Sequence, residues 1–133
     1  EGSNWEALMA GAQFGLDRLY AVCDRNRLQM GTPTEQTIAL EPLADKARAF
    51  GWNVVEIDGH DHGQILDAFA AAPVPGKPTF VISHSHKGHP ISFMSDKVTW
   101  HHHVPTPDEI DAILGELTED DIDAILSELE ETK

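Results

Sequence analysis

Cysteine occurs once, at Cys23, so the chain can close no internal disulfide, and a small core residue in a reducing compartment is the expectation. Basic residues are scarce. Nine Lys and Arg stand against 23 Asp and Glu, a formal net charge of −14. With no basic stripe to release counterions from a phosphate backbone, nucleic acid is not an expected partner. Long hydrophobic runs are missing too: nothing approaches the roughly 18 apolar residues of a membrane span, and no basic-then-apolar leader precedes the first helix. A cytoplasmic protein without a membrane partner is therefore expected. An initial Met is also lacking. The chain starts at Glu1, which leaves two readings, a natural start that has been removed or a piece of a longer chain.

What is present fits one modest globular domain: 133 residues, 41% of them hydrophobic, with a mean hydropathy of −0.30. The charge is uneven. Residues 1–103 hold 12 acids and eight bases, while residues 104–133 hold 11 acids and one base, so the acidity belongs to the tail. Any phosphate-bearing ligand must then be small and locally neutralised.

The stretch 19–31 organises the rest. An apolar run from Leu19 to Cys23 breaks into the polar loop Asp24-Arg25-Asn26-Arg27-Leu28-Gln29, as a buried parallel strand ends. Ligands of open α/β sheets sit beyond the carboxyl ends of strands. The amide of Asn26 and the backbone carbonyl of Leu28 are oxygens that would suit Mg2+, which shares its octahedral shell with substrate phosphates. Asn in this position is equally a turn residue, tolerant of unusual backbone angles.

Before this loop, Ser3 and Glu6 have capping-box spacing, and Trp5, Leu8, Met9, Ala12 and Leu16 form a helical stripe that Gly15 ends. After it, Thr32–Leu40 reads as an irregular connection. Pro42 opens a helix with Leu43, Ala47 and Phe50 on its apolar face and Gly51 as its cap. A second strand over 53–57 is followed by Asp61 and Gln64 capping a helix through Ile65, Leu66, Phe69 and Ala70, which Pro73 and Pro75 close. A third strand covers 78–82. Strand, helix, strand, helix, strand at these spacings predicts right-handed crossovers and a parallel sheet of at least three strands with flanking helices, an α/β fold.

Residues 84–103 form a long loop without periodicity, uncommon in a compact domain unless it has a task. It also leaves the carboxyl end of a strand and is expected near the Asn26 loop. Lys87 beside Gly88 can set an ammonium on a phosphate while the backbone passes close by, and His101 can donate a further hydrogen bond. For each, a solvated loop side chain is the plain alternative. The eight histidines invite a zinc reading, but none has one-turn helical spacing or cysteine companions, and His101, His102 and His103 cannot all turn to one ion without strain. His60 and His62 fit a loop and a helix start.

The tail repeats itself with a 12-residue period, Ile110–Leu117 against Ile122–Leu129, each copy preceded by a helix-start pattern at Thr106 or Thr118. Two short amphipathic helices are predicted, packing on the body or docking a partner.

The segments EGSNWEALMAG, CDRNRLQ, EPLADKARAFGWNVVEIDGHD, KPTFVISHSHKG and FMSDKVTWHHHVP, in this order, resemble transketolase, in particular the amino-terminal subunit of its split form, over residues 1–105. The resemblance implies the carboxyl-terminal half of a thiamine-diphosphate-binding domain at 1–105, with 106–133 an added acidic helical tail. It implies transfer of a two-carbon ketol unit between sugar phosphates, with thiamine diphosphate and Mg2+ as cofactors. Asn26 matches the metal-ligating asparagine and Leu28 the residue that lends a carbonyl to the ion. Lys87 matches a cofactor contact, His101 a catalytic histidine near both the diphosphate and the substrate, and Glu1 an interface glutamate close to the cofactors. The implied partners are the carboxyl-terminal subunit, which carries the pyrimidine-binding domain, and a second copy of the pair. The family's Gly-Asp-Gly metal triplet would lie before Glu1, and the glutamate that activates the cofactor belongs to another domain, so the isolated chain is expected to be inactive. His89-Pro90 replaces a more usual Lys-Gly, and His102 a common Gly. Two other readings remain: another thiamine-diphosphate enzyme, such as a dehydrogenase component or deoxyxylulose-phosphate synthase, and a non-catalytic module acting through the acidic helices. An uncovered sheet edge is expected to make the isolated chain self-associate.

Overall fold

The computed structural model describes residues 1–117 and divides into two compact units, Glu1–Ser85 and a second that begins at His86. In the first unit, helix α1 (Gly2–Gln13) precedes strand β1 (Tyr20–Arg25). A hairpin of β2 (Leu28–Gln29) and β3 (Thr32–Pro33) and the single turn α2 (Thr34–Thr37) follow. Then come α3 (Leu43–Ala49), β4 (Asn53–Asp58), α4 (His62–Ala70) and β5 (Thr79–His84).

Strands β1, β5 and β4 form a parallel sheet in that order, with Val22 and Val55 each in register with Val81. The last strand thus enters between the first two, and its Thr79–Ile82 stretch is buried throughout. That is why Phe80-Val81-Ile82 reads as a continuous apolar run rather than an alternating one. Helices α1 and α3 cover one face through Leu8, Leu43, Ala47, Trp52, Phe80 and Ile82. Helix α4 covers the other through Ala68 and Ile65 against Ile57 and Val81.

Several local expectations hold. Asp61 accepts the Gln64 backbone N–H at 3.0 Å and its side-chain amide at 2.8 Å. Gly51 follows α3 in the left-handed region, φ +91°. Others do not. Ser3 is no N-cap: α1 starts at Gly2 with Glu1 before it and no side-chain cap, so Ser3 and Glu6 both lie inside the helix. Trp5 stacks on Phe50 with ring centroids 5.9 Å apart. Met9 and Leu16, expected on the buried stripe, are exposed. The inward position between Leu8 and Ala12 is Gly11, where the Trp52 ring takes the side-chain space and donates its indole N–H to the Leu8 carbonyl at 2.7 Å. Leu66 is exposed as well. The 32–40 connection is not irregular, since it holds β3 and α2.

The second unit folds the 86–105 loop by turns around buried Ile91 and ends in a 3-10 turn over Val98–His101. Asp96 N–H donates to the Lys87 carbonyl at 2.7 Å, and Trp100 packs on Phe93. Helix α5 (Pro107–Glu116) carries the expected capping box of Thr106 and Glu109, and Glu116 accepts from both the backbone and the hydroxyl of Ser92. The second copy of the repeat, with its predicted helix, lies outside the described residues. Among those described, no helix is long and apolar enough to cross a membrane.

Candidate cofactor site

Strand β1 ends on the core-facing alternation Ala21, Cys23, Arg25, and the last of these is charged yet only 3% exposed. Its guanidinium donates to Thr34 Oγ1 at 2.9 Å, to Glu35 Oε1 at 2.8 Å and to Glu41 Oε1 at 2.9 and 3.0 Å. Backbone N–H groups complete the cluster: Leu40 donates to Glu35, and Leu43 to Glu41. Those backbone bonds first, and Arg25 after them, hold both carboxyls below their usual range. Burial pushes the neighbouring Cys23 thiol up, away from the reactive thiolate. The clamp fastens the 34–43 segment to the residue immediately before Asn26. Sequence reading left Arg25 in a polar loop; the signal it passed over was a base in phase with the buried alternation, followed by Glu35 and Glu41.

Asn26 is held from both ends of its amide. Oδ1 accepts the Leu28 N–H at 2.9 Å, and Nδ2 donates to Asp24 Oδ2 at 3.2 Å. The other oxygen of Asp24 accepts the Ser85 hydroxyl at the carboxyl end of β5. Asn26 is therefore a turn residue here, and Arg27 follows in the left-handed region at φ 64°. An amide oxygen has two lone pairs, and one bond leaves the second for an ion. Leu28 and Pro33 are a non-hydrogen-bonded pair of the hairpin, since the Thr34 N–H goes to the Arg27 carbonyl, so β3 makes no demand on the Leu28 carbonyl. The two oxygens assigned to a hard cation thus fit that role chemically. Glu1 and Leu28 line one open groove of about 1180 Å³ along α1 and β1, with Trp5, Val22, Ile38 and Leu40.

In the second unit Lys87 Nζ donates to His101 Nδ1 at 3.3 Å, which puts the proton of a neutral ring on Nε2. Gly88 sits between tight neighbours at φ +82°, where a Cβ would lie 2.6 Å from the Met94 carbonyl oxygen. His86 pairs with Asp96 at 3.0 Å, the His102 ring lies edge-on to His101, and His103 packs on Trp100 with centroids 4.4 Å apart. Each pair of proposed site residues is thus brought together within its own unit: Asn26 with Leu28, Lys87 with His101. His60 and His62 occupy the β4–α4 loop and the first position of α4. Among the described residues no three His, Cys, Asp or Glu side chains gather where they could hold a metal ion. Any ion here would depend on oxygens from its ligand or from other segments.

A crystal structure of transketolase from Campylobacter jejuni superposes on 74% of the chain with a TM-score of 0.69 at 22% identity, and the match takes in 16% of that protein. The architecture is the α/β thiamine-diphosphate-binding fold. Residues 1–121 match the model of the transketolase thiamine diphosphate binding domain, and the chain belongs to that family. It is 42% identical over 120 residues to an apulose-4-phosphate transketolase subunit of Phocaeicola vulgatus, a match that covers 90% of this chain and 43% of that protein. A 6-deoxy-6-sulfo-D-fructose transketolase subunit of a Clostridium species is 39% identical over 118 residues, 88% of this chain and 43% of its own length. The chain thus spans less than half the length of these curated relatives.

Proposed function

We propose that the chain is the diphosphate-holding part of a split transketolase subunit, a cytoplasmic transferase that moves a two-carbon ketol unit between sugar phosphates. The observation that carries the reading is the Lys87–His101 pair, a cation and an imidazole poised together within a transketolase-family domain. When bound, thiamine diphosphate supplies the carbon nucleophile and Mg2+ neutralises its diphosphate. Asn26 gives the ion its amide oxygen and Leu28 its carbonyl oxygen. Lys87 places positive charge on the diphosphate and keeps the His101 proton on Nε2, from which His101, the catalytic residue of this chain, donates to diphosphate or substrate. Glu1, beside the groove, faces the subunit interface. The anionic metal ligand and the group that activates the cofactor come from other segments, so this chain alone is inactive.

The relatives named as transketolase subunits support a partner subunit; in this reading it is the carboxyl-terminal subunit with the pyrimidine-binding domain, and a second copy of the pair completes the assembly. The test is reconstitution. The complete subunit containing these residues, mixed with that partner, thiamine diphosphate and Mg2+, should transfer a ketol unit from a ketose phosphate to an aldose phosphate, and neither component should do so by itself. Cofactor-dependent decarboxylation of a 2-oxo acid instead would assign the chain to another thiamine-diphosphate enzyme. The exposure of Ile110 and Leu114 on α5 favours one second reading, a docking tail. Deleting residues 106–133 would then abolish partner binding and leave the body folded.

A further inference from the structure

The acidic tail has no part in the roles above, yet its first helix is tied to the turn that carries His101. Glu109, at the third position of α5, bonds through one oxygen, Oε2, to His103 Nε2 at 2.9 Å, to the Thr106 backbone N–H at 2.8 Å and to the Thr106 hydroxyl at 2.9 Å. The His103 ring meets Trp100 edge-on at 4.4 Å, and Trp100 also packs on Phe93 at 5.5 Å. Trp100 precedes His101 in the Val98–His101 turn, and His101 takes the Lys87 hydrogen bond. An aromatic ring in contact with both Phe93 and His103 leaves its neighbour in a 3-10 turn little freedom, because successive residues share a fixed backbone. Carboxylate, imidazole and indole are in contact one after the next, and the backbone joins the indole-bearing residue to His101.

We propose that Glu109 and His103 are positioning residues that set the orientation of His101 toward Lys87, so that the start of the acidic tail serves as a strut for the catalytic turn. The capping box alone needs only Thr106 and Glu109. The His103 bond holds the same carboxylate and adds a link to Trp100 that the capping box does not need. This inference rests on the proposed role of His101.

The test uses the full chain labelled for NMR and the complete two-subunit enzyme. His103→Ala leaves the capping box intact and cuts the strut, while Glu109→Gln weakens both. Asp108→Asn, which removes a charge from the same turn without touching His103, is the control. In the cofactor-free chain, both strut variants should shift the His101 Cε1–H and Trp100 indole N–H signals, with Val81 and Phe80 amides unmoved and Asp108→Asn silent. In the complete enzyme the dissociation constant of thiamine diphosphate should rise about tenfold, as for groups that orient a ligand's direct partners. The double variant should be no worse than His103→Ala alone. Unmoved His101 signals and unchanged affinity in His103→Ala would overturn the strut. If wild-type His101 signals do not respond to thiamine diphosphate, the role of His101 falls instead, and the cofactor-free spectra still decide the strut.

Discussion

Replacing Gly88 by alanine separates two costs that a second glycine of similar backbone lets one measure independently. Gly88 sits at φ +82°, a conformation that costs an L-residue about 1–2 kcal/mol. Its added Cβ would also lie 2.6 Å from the Met94 carbonyl oxygen and 2.8 Å from Met94 Cβ. That carbonyl cannot yield freely, because it accepts the Lys97 N–H at 3.1 Å. Forcing a methyl into such a site costs a further 1–3 kcal/mol or so. Gly76 has nearly the same backbone, φ +71°, with nothing within 4 Å of its would-be Cβ. Gly76→Ala should therefore lose about 1–2 kcal/mol and Gly88→Ala about 2–5 kcal/mol in chemical denaturation of the full chain. Relief of the clash must move the loop that carries Lys87, so cofactor titration of the complete enzyme should register Gly88→Ala and not Gly76→Ala. Every 1.4 kcal/mol or so of lost contact appears there as about tenfold in dissociation constant. Equal destabilisation by the two substitutions, with equal cofactor affinity, would refute the steric argument.

Three more outcomes follow from particular contacts. Arg25→Met should speed amide exchange at Leu40 and Leu43 about tenfold or more, the equivalent of one charged hydrogen bond, since their acceptors Glu35 and Glu41 lose their anchor; unchanged exchange would mean that the 34–43 segment holds itself. Gly11→Ala should destabilise the wild type, its Cβ falling 2.8 Å from Trp52 Cζ2, but should stabilise a Trp52→Phe background, where that atom is gone and helix propensity decides; additive effects in the cycle would contradict the packing. Glu109 is held down from 4.5 to about 2, first by the His103 hydrogen bond and then by the Thr106 backbone. A depressed carboxyl contributes its stability fully above 4.5 and loses it as pH falls toward 2. Protonation of Glu109 in the folded chain should therefore appear in the Thr106 and Glu109 amide shifts as a step near pH 2, and Glu109→Gln should remove that step.

The strands were legible because burial on two faces writes an uninterrupted apolar run, and Phe80-Val81-Ile82 proved to be the central strand. The Asp61 and Thr106 caps were legible because a cap is a local hydrogen bond between residues three apart. Sequence order could not show that β5 enters between β1 and β4. Nor could it show the Arg25 clamp, whose partners lie nine to 16 residues away and meet only when the chain folds. The apparent cap at Ser3 misled because the spacing of Ser3 and Glu6 is met equally by two residues inside a helix that starts at Gly2. At the site, the residue types at Asn26, Lys87 and His101 suggested ion and phosphate chemistry. The groups that aim them, Asp24, Ser85, Trp100 and Glu109, carry no pattern that spacing alone reveals.

The central claim is that this chain holds the metal-diphosphate end of the cofactor through Asn26. The most direct measurement is a calorimetric titration of thiamine diphosphate into the complete enzyme across a range of Mg2+ concentrations, for the wild type and for Asn26→Ala. A wild-type affinity that rises with Mg2+, and a variant that loses about tenfold or more together with most of the Mg2+ dependence, is the predicted result. Identical affinities and identical Mg2+ dependence in the two proteins would contradict it.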